Sequence, residues 1–112
     1  MRGYIIDSMR SHQMLDRRSL ALHELVADKI RADPALLERA RENLRRWRPT
    51  MSAGSLPYLD EWERLVGAGL EACLAVATED SERATALRQS TPFGGVLTNV
   101  ERNRFFRDWS DT

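Results

Sequence analysis

Proline and glycine punctuate this chain at short intervals, and the segments between them carry only helical patterning. Asp33-Pro34 stops one segment and starts the next. Pro49 ends that one, and residues 50–56 form a connection with Gly54 as its hinge. Pro57 stands at a first-turn position, where its missing N–H removes no helical hydrogen bond. Gly67-Ala68-Gly69 breaks the following stretch, and Pro92 with Gly94-Gly95 breaks the one after. Between the breaks, apolar residues recur at three and four, as on one face of a helix. Sustained strand-like alternation is absent. These features predict an all-α fold, a compact bundle of five or six short helices in a single domain.

The expected elements follow from the caps and stripes. Asp16 opens a helix to about Ala32, with Leu22, Leu25, Val26 and Ile30 facing inward. Asp33 caps a second helix to about Trp47, which buries Leu36, Leu37, Ala40, Leu44 and Trp47. Tyr58, Leu59, Trp62, Leu65 and Val66 form the stripe of a third. Leu70–Ala77 is a short central helix, and Cys73 is a small buried hydrophobe within it. Thr78 or Asp80 caps a helix to about Gln89. Thr98 and Glu101, three apart, are the signature of a capping box and open a final helix to about Trp109. The aromatics Trp47, Trp62, Phe105, Phe106 and Trp109 are expected in the core. Residues 1–13 lack a clear period and read as a loose N-terminal arm or an extended gene start, with the domain spanning 14–112.

Composition excludes several classes. The chain has 112 residues, 42% of them hydrophobic and 30% charged, within the range of a globular protein. No apolar run approaches the ~18 residues of a membrane span, and no signal-peptide core follows the N-terminus, so a cytoplasmic setting without membrane contact is expected. A single cysteine excludes an intrachain disulfide and a cysteine metal cluster. The two histidines, His12 and His23, have no metal-ligand spacing. Gly67-Ala68-Gly69 lacks a dinucleotide fingerprint, no phosphate-binding loop is present, and no nucleophile-elbow context frames a serine. No enzyme activity, cofactor or metal is expected.

The net charge is zero, from 17 basic and 17 acidic residues. Residues 1–56 hold 11 basic and 7 acidic side chains, and residues 57–112 hold 6 basic and 10 acidic. Lys29 is the only lysine. Arg41, Arg45 and Arg48 share one face of the second helix. That face is either a solvated surface paired with Glu38 and Glu42 or a contact with phosphate or with an acidic partner. Arg88-Gln89 leads into the unusually apolar connector Ser90–Leu97. Phe93, Val96 and Leu97 there either fold back into the core or form a recognition loop with Phe93 as its anchor. His23, on the first helix, lies at the edge of the apolar face.

Two stretches carry a resemblance. Residues 18–23 (RSLALH) running into 26–34 (VADKIRADP), and 82–90 (ERATALRQS) with 92–97 (PFGGVL), resemble the two halves of small bacterial proteins. These proteins are similar in gene setting to antitoxin-like partners of toxin–antitoxin modules. The resemblance covers about residues 15–109 and implies no catalytic residues. It implies a non-catalytic protein–protein interaction module that masks a neighbouring toxin, with His23, Arg88, Gln89, Pro92 and Phe93 as the partner-binding candidates. The alternative is a small nucleic-acid-binding regulator using Arg41, Arg45 and Arg48. The apolar content suffices for a monomer and is compatible with a homodimer.

Overall fold

A computed structural model describes residues 2–111, with side chains from residue 11 onward. Among them lie six α-helices and no strand: α1 (Arg2–Ala32), α2 (Leu37–Trp47), α3 (Leu56–Ala68), α4 (Leu70–Ala77), α5 (Glu82–Arg88) and α6 (Asn99–Asp108). Single 3-10 turns at Pro34–Leu36 and Arg48–Thr50 flank α2. The chain is thus a small all-α domain, as its punctuation requires. The helix expected to begin at Asp16 extends back to Arg2. Most of the expected arm, residues 1–10, falls outside the described side chains.

The helix ends explain the boundaries. Pro34 occupies the start of the turn before α2, but Asp33 makes no side-chain cap bond, contrary to expectation. Between α3 and α4 the backbone turns at Gly69, whose φ of 126° lies in a region that L side chains rarely adopt. The cap of α5 is Ser81, which accepts from the Ala84 amide at 3.1 Å. Thr78, one of the expected caps, instead donates to the Leu74 carbonyl at the end of α4. The capping box of α6 is present in full: Glu101 N–H donates to Thr98 Oγ1, and Thr98 N–H donates to Glu101 Oε1 at 2.8 Å.

α4 is the centre of the bundle. It packs on α1, α3 and α5, and Cys73, Leu74 and Ala77 have no exposed surface. Burial pushes the Cys73 thiol up to about 12, so it packs as an apolar group. α2 packs against α3 on the other side. Trp62 of α3 is fully buried. Its indole N–H donates to the Leu87 carbonyl at 2.9 Å, which ties α3 to the end of α5. Of the aromatics expected in the core, Trp62 alone is fully buried. Trp47, Phe105, Phe106 and Trp109 are half-buried. Leu25 and Tyr58, read as inward-facing, are 39% and 42% exposed.

α6 is attached differently. None of its residues is fully buried. It runs antiparallel to α1 and is held by polar contacts at both ends. Lys29 Nζ donates to Glu101 Oε1 at 2.5 Å, and the Arg17 guanidinium grips both oxygens of Asp111. Between these, Arg18 and Arg102 each place a guanidinium 4.8 Å from the centre of the Phe106 ring.

Truncating a fully buried tryptophan leaves a cavity and removes its dispersion contacts. Trp62→Ala should destabilise the fold by about 3–5 kcal/mol. Trp62→Phe should remove mainly the hydrogen bond to the Leu87 carbonyl, which keeps the Ser90 amide as a donor, and so cost only about 0.5–1.5 kcal/mol for that bond. Urea denaturation of both variants measures the difference. A Trp62→Phe variant as stable as the wild type would show that the indole N–H contributes nothing.

Candidate functional site

The connector from Ser90 to Leu97 is held against three helices. Phe93, Val96 and Leu97 are buried, and Pro92 has almost no exposed surface. Three elements hold it. From α3, Trp62 meets Phe93 edge-on at 5.5 Å between ring centres. From α1, His23 meets the same ring edge-on at 5.9 Å. From α2, the amide of Asn43 donates to the carbonyls of Pro92 at 2.8 Å and Gly94 at 2.9 Å. The turn closes with Val96 N–H donating to the Phe93 carbonyl. Gly95 has φ of 86°. A Cβ there would meet only the end of the flexible Arg39 side chain, at 2.7 Å from Nε, so it is the backbone conformation that calls for glycine.

This geometry corrects the expectation for Phe93. The ring is an internal plug, 4% exposed, and offers no anchor to a partner. Pro92, His23 and Arg88 are likewise interior. Of the five partner-binding candidates, only Gln89 is exposed. Asn43 of α2, which no sequence feature singled out, is a buried clamp. Its i+3 neighbour Arg46 donates to its side-chain oxygen at 2.9 Å, which fixes the amide orientation.

His23 occupies a defined polar niche. Its Nδ1 lies 2.7 Å from the Ser19 carbonyl, which can only accept, so Nδ1 carries the proton. In the neutral ring Nε2 then accepts from Thr91 Oγ1 at 2.8 Å. Both ring nitrogens are therefore engaged. Burial, aided by the nearby positive charge of Arg88, holds the imidazole below its usual range. Arg88 is 4% exposed and donates to the carbonyls of Ala77 and Glu79 just past α4, and to Thr85 Oγ1. Its Nε is buried without a hydrogen-bond partner.

Above this niche the surface is open. Two cavities of about 380 and 190 Å³ share Leu22, His23 and Thr91 in their walls and form one groove. The larger is bounded by Leu15, Arg18 and Ser19 of α1, Arg88 and Gln89 at the end of α5, and Phe106 of α6. The smaller is bounded by Val26, Gly94, Gly95 and Arg102. Leu15, in the wall of the larger cavity, is 44% exposed.

The arginine face of α2 has a different character. Arg41 and Arg45 donate to Glu38, and Arg48 donates to Asp60 and Glu63 of α3. The two carboxylates raise the pKa of Arg48. Local carboxylates thus offset all three named arginines. Among the described residues no cluster of three metal-ligating side chains occurs, and no helix is long and apolar enough to cross a membrane. No family model, curated protein or solved structure matches the chain.

Two pH windows follow. His23 binds protons more readily in the unfolded chain, so stability is highest above its ordinary value of about 6.5 and falls as the pH drops below it. Urea midpoints across this range should show the loss in the wild type but not in His23→Gln. Thr91→Val, which leaves Nε2 without a donor, should cost about 1–3 kcal/mol at neutral pH. Glu101 is held at about 2 by the bond from Lys29 and the capping bonds from Thr98. Its contribution is present above the ordinary carboxylate value and is lost as pH falls through about 2. Amide exchange in α6 should accelerate over that lower window before the core opens, and simultaneous exchange of α4 and α6 would contradict this.

Proposed function

We propose that the protein is a non-catalytic interaction module, and that its contact surface is the groove between α1, the end of α5 and α6. The observation that carries this reading is the open apolar wall from Leu15 through Leu22 to Phe106, set over the buried His23 niche. Large apolar side chains exposed side by side at a concave surface suit a protein partner. Both ring nitrogens of His23 in the groove wall are hydrogen-bonded, so this imidazole serves the fold. With the resemblance to antitoxin-like proteins, the mechanism is stoichiometric masking of a toxin's active surface. Nucleic-acid binding through Arg41, Arg45 and Arg48 is the weaker reading, because Glu38, Asp60 and Glu63 already neutralise that face.

Affinity capture from the native cell, with and without nuclease, tests the proposal. A small stoichiometric protein should survive nuclease, be lost with Leu15→Glu and be retained with Arg45→Glu. Capture that depends on nucleic acid, or that tolerates Leu15→Glu while failing with Arg45→Glu, would move the function to the α2 face.

A further inference from the structure

The cationic groups of the groove set the chemistry of what it accepts, an inference that rests on the interaction reading above. Eight of the fourteen arginines with described side chains are paired with carboxylates. They are Arg17, Arg31, Arg41, Arg45, Arg48, Arg64, Arg83 and Arg107. The three arginines of the groove are among the six without an ion pair, with Arg39, Arg46 and Arg104 outside it. Arg18 and Arg102 have no ion pair, and each rests its guanidinium against the ring of Phe106. Stacking holds a guanidinium plane in place while leaving its N–H edge free to donate.

Arg88 is the independent observation. It is a buried guanidinium in the groove wall, with no carboxylate within ion-pair distance and an Nε that has no acceptor. Acidic groups act on it only at longer range, from Asp80, Asp16, Glu79 and Glu24. A buried charge without a paired counterion is costly, and an anion in the adjacent groove lowers that cost. Asp16, at the outer wall, is the one carboxylate lining the larger cavity. Three arginines against one aspartate leave this apolar groove positive, on a chain whose total charge is zero.

We propose that the groove binds an acidic segment of a protein partner, with carboxylates on Arg18 and Arg102 and an apolar side chain over Leu22 and Phe106. The chain already shows such a contact next door. Arg17 holds Asp111 through a two-bonded fork, the geometry that suits a guanidinium to a carboxylate. Arg18 is the adjacent residue of the same helix, without a carboxylate.

The test is side-chain NMR of the full chain, reading the arginine Nε–H resonances. Two probes are titrated: a short peptide alternating Glu and Leu, and its charge-reversed form alternating Lys and Leu. The acidic peptide should shift the resonances of Arg18 and Arg102. Its binding should weaken about tenfold or more in the double variant Arg18→Ala/Arg102→Ala, as the loss of charge-assisted bonds implies. Added salt should weaken it as well. The amide spectrum of the variant reports whether it folds. Should it not, single Arg102→Ala carries the same comparison. No shift with the acidic peptide, equal shifts with both peptides, or binding unchanged in a folded variant would overturn the proposal. A captured partner that requires Leu15 but tolerates Arg18→Ala would sink this inference and leave the interaction reading standing.

Discussion

The edge-on contact between Trp62 and Phe93 organises the molecule. Trp62 belongs to α3, binds the last carbonyl region of α5 and receives the ring of a connector far along the chain. His23 of α1 also meets that ring edge-on, and Asn43 of α2 holds the backbone on either side of it. A segment with no regular structure thus joins three helices that would otherwise meet only through small apolar faces. Short helices are marginal alone, and their stability comes from packing. Here the packing partner of several helices is a connector, which explains why that connector is so apolar.

The buried polar groups follow the same logic. His23, Asn43 and Arg88 are the buried polar side chains among the described residues, and each donates to backbone carbonyls. Asn43 reaches two carbonyls in the non-helical connector, and Arg88 reaches two where α4 ends, at positions that lack helical donors. Buried carbonyls need partners, and a side chain that supplies them fixes where the irregular segment lies. Apolar packing alone would admit several placements of a proline–glycine turn. These hydrogen bonds leave one.

How much of this was readable before any coordinates depends on how local each signal is. The Thr98–Glu101 box depends on four consecutive residues, and it formed as expected. The breaks at Pro34, Pro57 and Gly69 are properties of single residues, and they too fall where the pattern placed them. Helix starts were less readable. Thr78, Asp80 and Ser81 are all competent caps, and the choice of Ser81 reflects where α4 ends and how α5 must tilt to bury Ala84 and Leu87. Burial was least readable. A stripe containing Leu25 and Tyr58 looks inward-facing on one helix, yet whether a neighbour covers them is decided by the other five. For the same reason, Phe93 could be read either as an anchor or as a plug. Only the position of Trp62, thirty-one residues earlier in the chain, decides between them. Asn43 gave no signal at all, since its role requires a carbonyl from a distant turn.

The charge distribution has a comparable explanation. The first half of the chain is basic and the second acidic, which in isolation suggests two surfaces for two partners. The structure folds them together instead. Lys29 meets Glu101, Arg17 meets Asp111, Arg31 meets Glu71, and Arg48 meets Asp60 and Glu63. Each pair joins a basic residue of the first half to an acidic residue of the second, so the asymmetry works as an internal code for docking α3, α4 and α6 onto α1 and α2. Exposed pairs of this kind add little stability singly, but like charges placed opposite one another would oppose the wrong arrangement. Against that background, an arginine without a carboxylate is informative in a way that arginine content is not. Arg18 and Arg102 lie between the Lys29–Glu101 and Arg17–Asp111 pairs, along the seam where α6 meets α1, and yet they bind an aromatic ring rather than an acid. The seam is therefore neutralised at both ends and positive in the middle, where the groove opens.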